Sequence, residues 1–108
     1  MLGTSAGKTF ALILSLIGGQ SMRKTVWKYP LNSGTLRLEM PKGAEILYVD
    51  TQDNEGNLWA LVDSTNENEI RLFWIIGTGG YLPEREVAYV GSYMTNEGKL
   101  VRHVFEEV

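Results

Sequence analysis

The chain has 108 residues, of which 44% are hydrophobic and 21% are charged, and it has no cysteine. This is the composition of a single globular domain, and it excludes a disulfide scaffold, a zinc–thiolate site and a thiol nucleophile. The formal net charge of −3 is unevenly distributed, because all thirteen acidic residues follow residue 30. Residues 31–108 combine these with six basic residues, a formal charge of −7. Such an acidic body disfavours binding to the phosphate backbone of a nucleic acid.

We interpret residues 1–21 as an apolar extension that precedes a single β domain over residues 22–108. Within the extension, residues 9–17 (TFALILSLI) are almost entirely apolar and are followed by two glycines, a pattern that predicts a short helix. Such a helix has to bury its side chains on the domain or on a neighbouring subunit, and the candidate interface residues are Phe10, Leu12, Ile13 and Leu16. Two alternatives stay open: a secretory signal peptide, or an upstream extension of the reading frame with Met22 as the natural start.

Two other functions of this extension are disfavoured. Its apolar run is far shorter than the about 20 residues of a membrane-spanning helix. Residues 3–9 (GTSAGKT) share part of the pattern of a phosphate-binding loop, but Leu2 stands where the pattern requires a glycine. We therefore expect neither a membrane span nor nucleotide hydrolysis at this segment.

From residue 22 onward the sequence pattern is that of β-strands. Leu36, Leu38 and Met40 alternate with polar residues, which predicts a strand with one solvated face. The other predicted strands are short apolar runs rich in strand-forming residues, separated by turn signals such as Pro41-Lys42-Gly43. In chain order, the predicted strands cover residues 25–29, 35–40, 44–50, 58–63, 70–76, 87–93 and 100–105.

About seven short strands at regular spacing predict an all-β fold, a small antiparallel sandwich or barrel. Residues 53–56 (DNEG) are typical of a hairpin turn, in which we expect Gly56 to adopt a positive φ. Tyr29, Tyr81 and Tyr93 lie near strand ends and are candidates for the surface. The other aromatic residues fall inside apolar strands, so we expect them to build the core: Trp27, Tyr48, Trp59, Phe73, Trp74, Tyr89 and Phe105.

The sequence contains few groups for catalysis, and we expect no enzyme. His103 is the only histidine and shares a strand face with Val101 and Phe105, so we expect it in the core or at a sheet edge. A hydrolytic centre would need His103 to act with a serine such as Ser64 or Ser92, and neither serine lies in a nucleophile-elbow motif. No spacing of histidines or acidic residues matches a metal site. We therefore expect neither a metal nor a cofactor.

The glycine-rich segment after the fifth predicted strand is the strongest candidate for a ligand site. Residues 77–80 (GTGG) expose backbone N–H groups that can surround an anion. Arg71 and Arg85 flank this segment and are expected to neutralise the anion, with Tyr81 stacking on an attached base. The alternative is a long glycine-rich turn that binds nothing. The candidate ligand-binding residues are Gly77, Thr78, Gly79, Gly80, Tyr81, Arg71, Arg85 and His103.

Four sequence blocks occur together in this chain: MPKGAEIL (40–47), LWALVD (58–63), GTG (77–79) and HVFE (103–106). In this order they resemble a family of small uncharacterised phage and prophage proteins, over about residues 22–108. Members of that family often continue the glycine segment with a histidine, whereas this chain has Gly80. The resemblance implies a phage protein that works in the host cytoplasm by binding.

We therefore expect a cytoplasmic, non-catalytic binding protein that forms a homo-oligomer. The expected function is counter-defence, either by sequestering a small anionic, nucleotide-like signal or by docking on a host protein. The alternative is a virion or assembly accessory that acts only through protein–protein contacts. Secretion is expected only if residues 1–21 act as a signal peptide.

Overall fold

The computed structural model describes residues 23–32 and 34–108. The predicted N-terminal helix and its interface residues, Phe10, Leu12, Ile13 and Leu16, lie outside the described residues. The described residues form strands and no helix, which confirms the all-β prediction, and none of them belongs to a helix able to cross a membrane. The strands are β1 (Lys24–Pro30), β2 (Thr35–Pro41), β3 (Glu45–Gln52), β4 (Glu55–Asp63), β5 (Asn68–Gly77), β6 (Val87–Thr95) and β7 (Leu100–Glu107).

The strands form two antiparallel sheets. Sheet A has the strand order β1-β4-β3, and sheet B has the order β2-β5-β7-β6. The sheets are not closed into a barrel, so of the two predicted architectures the protein adopts the sandwich. β3 and β4 form one hairpin and β6 and β7 form another, whereas β5 and β6 are separated in sheet B by β7.

The hydrophobic core lies between the inner faces of the two sheets. In β2, Leu36 and Met40 are buried while the polar residues between them are exposed, as the alternating sequence predicts. Phe73 of β5 pairs with Leu36 across the sheet and is fully buried. The buried hydrophobic residues are Leu31, Leu36, Met40, Ala44, Leu58, Ala60, Val62, Phe73, Tyr93 and Val104.

The prediction for the aromatic core is wrong for several residues. Of the seven aromatic residues expected in the core, only Phe73 is fully buried. Tyr48 is 47% exposed and stacks on Trp59 on the outer face of sheet A, with ring centroids 4.8 Å apart. Tyr89 is 61% exposed and meets Phe105 edge-on on the outer face of sheet B. These strands are apolar on both faces, so the aromatic pairs on the outer faces partly cover each other instead of filling the core.

For the other aromatic residues, too, the predicted burial is only partly correct. Trp27 is exposed on the edge strand β1, and Trp59, Trp74 and Phe105 are half-buried. Among the tyrosines expected at the surface, Tyr81 is 95% exposed, Tyr29 is half-buried and Tyr93 is only 7% exposed. Tyr93 is therefore a core residue, because its position in β6 points toward the other sheet.

The hairpin between β3 and β4 turns where the sequence predicts it, but with different residues in the left-handed region. Asp53 and Asn54 have φ values of 55° and 62°, which is the geometry of a type I′ turn. Gly56 does not have a positive φ, so this part of the prediction is wrong. Gly56 instead lies directly beneath the ring of Tyr93, where no side chain fits.

Sheet B carries an ion pair on its inner face. The Arg71 guanidinium donates from Nε and Nη2 to the two carboxylate oxygens of Glu106, at 2.6 and 2.9 Å, and from Nη1 to the Ala44 carbonyl at 2.6 Å. Both charged side chains are mostly buried. The Glu106 carboxylate raises the pKa of Arg71 further above its ordinary value. The ion pair therefore fills part of the space between the sheets with matched charges.

We expect the two partners of this ion pair to be strongly coupled. Arg71→Met alone leaves the Glu106 carboxylate without its partner and lowers the free energy of unfolding by about 2 kcal/mol, somewhat less than the loss at fully buried pairs. Arg71→Met combined with Glu106→Leu removes both charges and costs less than either single change. Urea unfolding of the wild type, both single variants and the double variant measures this coupling. Losses that simply add up in the double variant would contradict it.

Candidate functional site

A pocket of about 470 Å³ opens at one end of the sandwich. The tips of the β3–β4 and β6–β7 hairpins form part of its wall, and the connection between β1 and β2 forms another part. Its size is in the range of pockets that hold small molecules. The lining residues are Leu31, Asn32, Gly34, Asn54, Glu55, Gly56, Ile75, Tyr93, Thr95, Asn96 and Arg102.

Arg102 supplies the positive charge of this pocket. It lies in β7 between Gly77 of β5 and Tyr93 of β6, which are its partners across the sheet. Its Nη1 atom is 3.7 Å from the position that a Cβ of Gly77 would occupy. Among the described residues, nothing forms an ion pair or a hydrogen bond with this guanidinium. An unpaired guanidinium in a pocket can bind a carboxylate or phosphate with two parallel hydrogen bonds.

Tyr93 lines the pocket and is the direct partner of Arg102 across the β6–β7 pairing. Burial raises the pKa of the Tyr93 hydroxyl above its ordinary value of 10.0, and the nearby Arg102 cation opposes this shift. One side of the ring packs against Gly56. At neutral pH the phenol is therefore uncharged and able to donate a hydrogen bond.

The two hairpin tips are joined by hydrogen bonds. The Asn96 backbone N–H donates to Oδ1 of Asn54 at 2.8 Å, and the Thr51 hydroxyl donates to the Met94 carbonyl. Asn54 and Asn96 are both in the left-handed region, with φ of 62° and 54°, which asparagine tolerates better than most residues. These bonds keep this part of the pocket wall in place without a ligand.

The glycine segment (residues 77–80) lies next to the pocket, but its one side chain beyond hydrogen, that of Thr78, lies on the outer face of sheet B. Thr78 contacts His103, with Oγ1 and Nε2 2.9 Å apart. The other ring nitrogen of His103, Nδ1, is 3.1 Å from Oγ of Ser92, which in turn is 2.7 Å from the Tyr89 hydroxyl. His103 and Ser92 are direct partners across the sheet, on the face opposite to Arg102 and Tyr93. Thr78 and His103 are thus brought together on the outer face of sheet B.

The two arginines that were predicted to neutralise an anion at the glycine segment do not point toward that segment. Arg71 lies on the inner face, six residues or about 20 Å of strand before Gly77, and its guanidinium is bound by Glu106 and Ala44. Arg85 pairs with Glu107 at 2.9 Å, near the start of β6, at the end of the sandwich opposite to the pocket. Tyr81 projects into solvent. The cation that the structure places beside Gly77 is Arg102.

The contact between Ser92 and His103 is that of a nucleophile and a base in hydrolytic enzymes. In such enzymes a carboxylate usually orients the second ring nitrogen, whereas here Thr78 holds this position. No cluster of histidine and acidic residues able to hold a metal ion occurs within residues 23–32 and 34–108. In this network both ring nitrogens of His103 contact hydroxyl groups: Nε2 contacts that of Thr78, and Nδ1 contacts that of Ser92.

The outer face of sheet B also exposes apolar side chains. Ile70, Met94 and Val101 lie on this face and are exposed together with Tyr89. The segment of residues 78–86 crosses the same face and contacts it at both ends, where Gly80 lies against Ile76 and Arg85 binds Glu107. Exposed apolar groups of this kind are typical of surfaces that contact other molecules.

Sequence reasoning missed Arg102 and Tyr93 as residues of the pocket. Alternation within the seventh strand places Arg102 on the face opposite to His103. That alternation, combined with the pairing of β5 and β7, brings Arg102 beside the first glycine of the GTGG segment. Predicting these residues requires the strand order β5-β7-β6, and the sequence does not reveal which strands are neighbours.

The raised pKa values of two tyrosines predict how the stability of the protein depends on pH. Burial raises the pKa of Tyr29 and of Tyr93 above 10.0, with nearby arginines opposing the shift. Their contribution to stability is therefore fully present below pH about 10 and is lost as the pH rises through the raised values. Tyr29→Phe is expected to fold normally, since its buried hydroxyl has no hydrogen-bond partner among the described residues. Urea unfolding at pH 8 and pH 11 should show a smaller alkaline loss in Tyr29→Phe and Tyr93→Phe, and an unchanged loss would contradict the burial of these hydroxyls.

Comparison with known proteins places most of the chain in one family. The model of a domain of unknown function (DUF7352) matches residues 22–108. The comparisons with curated proteins and with solved structures found no match. The matched region contains every strand of the sandwich and every residue of the pocket. The chain belongs to the DUF7352 family.

Proposed function

We propose that this protein is a non-catalytic binding protein that takes a small anionic molecule into the pocket at the open end of the sandwich. The observation that carries the proposal is the unpaired guanidinium of Arg102 in this pocket. A charged group in a partly enclosed site is costly unless a partner compensates it. A carboxylate or phosphate of the ligand provides that partner.

The remaining lining residues support a ligand with further polar groups. Asn32, Asn54 and Asn96 line the pocket together with Tyr93 and Thr95. Amides and hydroxyls both donate and accept hydrogen bonds, so they suit a ligand with sugar, amide or base groups. In the cytoplasm of a phage-infected cell, to which the sequence resemblance points, such a protein would sequester a small nucleotide-like signal.

Isothermal titration calorimetry against inorganic phosphate, glutarate and a panel of cyclic nucleotides tests the proposal. At least one of these anions is expected to bind, and Arg102→Gln should weaken its binding about 10- to 100-fold because charge-assisted hydrogen bonds are lost. Arg37→Gln is the matched control, since Arg37 is exposed on β2 and does not line the pocket. Thr78→Ala tests whether the glycine segment takes part in binding.

Two results would refute the proposal. One is the absence of binding heat with every anion of the panel. The other is binding that Arg102→Gln and Arg37→Gln weaken equally, since that would indicate a general effect of charge. Circular dichroism and thermal unfolding of each variant establish that it is folded before binding is compared.

A further inference from the structure

One edge of β1 has no neighbouring strand among the described residues, while the other edge pairs with β4 along the whole strand. The N–H of Leu31, one residue beyond β1, donates to the Gly56 carbonyl at 2.9 Å. Because hydrogen-bonding residues alternate along an antiparallel strand, this bond directs the backbone groups of every second residue of β1 toward β4. The N–H and C=O groups of Lys24, Val26 and Lys28 therefore face the free edge.

The side chains of β1 do not protect this edge in the usual way. Edge strands are often protected by lysine side chains or by a proline. Lys28 Nζ instead donates to Oε1 of Gln52 at 2.6 Å, and Gln52 lies in β3, on the far side of β4. The ammonium group of Lys28 is thus drawn back over sheet A. Pro30 is the last residue of β1, so it shortens the free edge without closing it.

Two apolar side chains of β1 are exposed beside the free edge. Trp27 lies directly opposite Ala60, which is fully buried, so both lie on the inner face of sheet A. Trp27 is nevertheless 41% exposed, and Val26, on the outer face, is 50% exposed. A free backbone edge with exposed apolar groups on both faces is a template for pairing with another strand.

The charge distribution makes β1 a favourable place for two copies of the chain to meet. Residues 31–108 have a formal charge of −7, and a field of this sign repels a second copy over most of the surface. β1 has two lysines and no acidic residue. Two acidic domains therefore repel each other least when they approach through this strand.

We propose that two copies of this chain pair through β1 in antiparallel orientation, which joins their copies of sheet A into one continuous sheet. With the twofold axis at Trp27, the outward backbone groups of Val26 pair with those of Lys28 in the other copy. Lys24 then lies opposite Pro30, so no like charges are directly opposite each other. An axis at Val26 would instead place Lys24 opposite Lys28 twice, which is unfavourable. The Trp27 rings of the two copies meet at the axis and cover each other.

Sedimentation equilibrium of the full chain, up to millimolar concentration, tests the inference. We expect a reversible monomer–dimer equilibrium. Val26→Pro removes an outward N–H and spares the bonds to β4, and it should weaken the dimer at least about tenfold because twofold symmetry removes two hydrogen bonds. Arg37→Pro is the matched control. Arg37 lies in the edge strand β2, and its N–H also faces away from the neighbouring strand, because the bond from the Ile75 N–H to the Gly34 carbonyl sets the alternation there.

A single introduced cysteine tests the register, since the chain has no cysteine of its own. Trp27→Cys should form a disulfide between two copies under mild oxidation, because directly opposite residues of such a pair have Cα atoms about 4.5 Å apart. Val26→Cys, which lies away from the axis, and Arg37→Cys in β2 should form it much more slowly. Circular dichroism and thermal unfolding establish that each variant is folded.

A monomer at every concentration overturns the inference and leaves the edge of β1 to a different partner. Equal effects of Val26→Pro and Arg37→Pro overturn it as well, and so does faster cross-linking of Val26→Cys than of Trp27→Cys. None of these results bears on anion binding, since no residue of β1 lines the pocket. The dimer and the proposed function can therefore fail independently of each other.

Discussion

Replacing Phe73 by alanine is expected to lower the free energy of unfolding by about 3–5 kcal/mol, the usual cost of truncating a buried phenylalanine. Phe73 is fully buried in β5, between β2 and β7 in the centre of sheet B. The substitution removes the whole phenyl ring from the core and leaves a cavity that the paired strands cannot close. Because domains of this size are stable by about 5–15 kcal/mol, the variant comes close to unfolding at 37 °C.

Urea unfolding followed by tryptophan fluorescence measures this loss. Ile70→Ala is the matched control in the same strand, because Ile70 is 46% exposed on the outer face, and its loss is expected to stay below about 1 kcal/mol. Equal losses in the two variants would show that Phe73 is not at the centre of the core.

Replacing Gly56 by alanine is expected to destabilise the protein by about 2–3 kcal/mol, a large effect for the addition of one methyl group. A Cβ at this position would lie 2.7 Å from Cδ2 of Tyr93 and closer still to Cε2 and Cζ. Tyr93 is only 7% exposed, so its ring has little room to move. The added methyl group therefore pushes the β4 backbone and the β6 side chain apart.

Thermal unfolding of Gly56→Ala shows this effect, with Gly34→Ala as the control, since a Cβ at Gly34 has no atom within 4 Å. Combining Gly56→Ala with Tyr93→Ala removes the overlap, so the losses of the two single variants should not add up in the double variant. Strictly additive losses would contradict the close contact. We also expect Gly56→Ala to weaken ligand binding, because Gly56 and Tyr93 both line the pocket.

The strands could be predicted from local patterns because each carries its own signal. The alternation around Leu36 and Met40 gave the correct inner face of β2, and the glycine-rich and asparagine-rich segments marked the turns. The choice between sandwich and barrel depends on the pairing of distant strands, which no local pattern contains. The positions of Tyr48 and Tyr89 were mispredicted for a related reason: in strands that are apolar on both faces, alternation does not reveal the inner face.

The residues of the candidate site were harder to predict from the sequence than the strands were. Proximity in sequence pointed to Arg71 and Arg85, whereas the structure engages both in ion pairs with glutamates. Arg102 is 25 residues from Gly77 in sequence but is its direct partner across the sheet. A pocket assembled from two hairpin tips and a third connection depends on the strand order, so its residues become visible only in the folded chain.

The most direct test of the proposed binding site is a map of amide chemical-shift changes in ¹H–¹⁵N spectra during titration with inorganic phosphate and with glutarate. We predict that the largest changes cluster at the two hairpin tips and at Arg102, among residues 54–56, 93–96 and 102, and that Arg102→Gln abolishes them. Changes centred on Tyr89 and His103 on the outer face of sheet B, or no changes with either probe, would contradict the assignment of the pocket as the binding site.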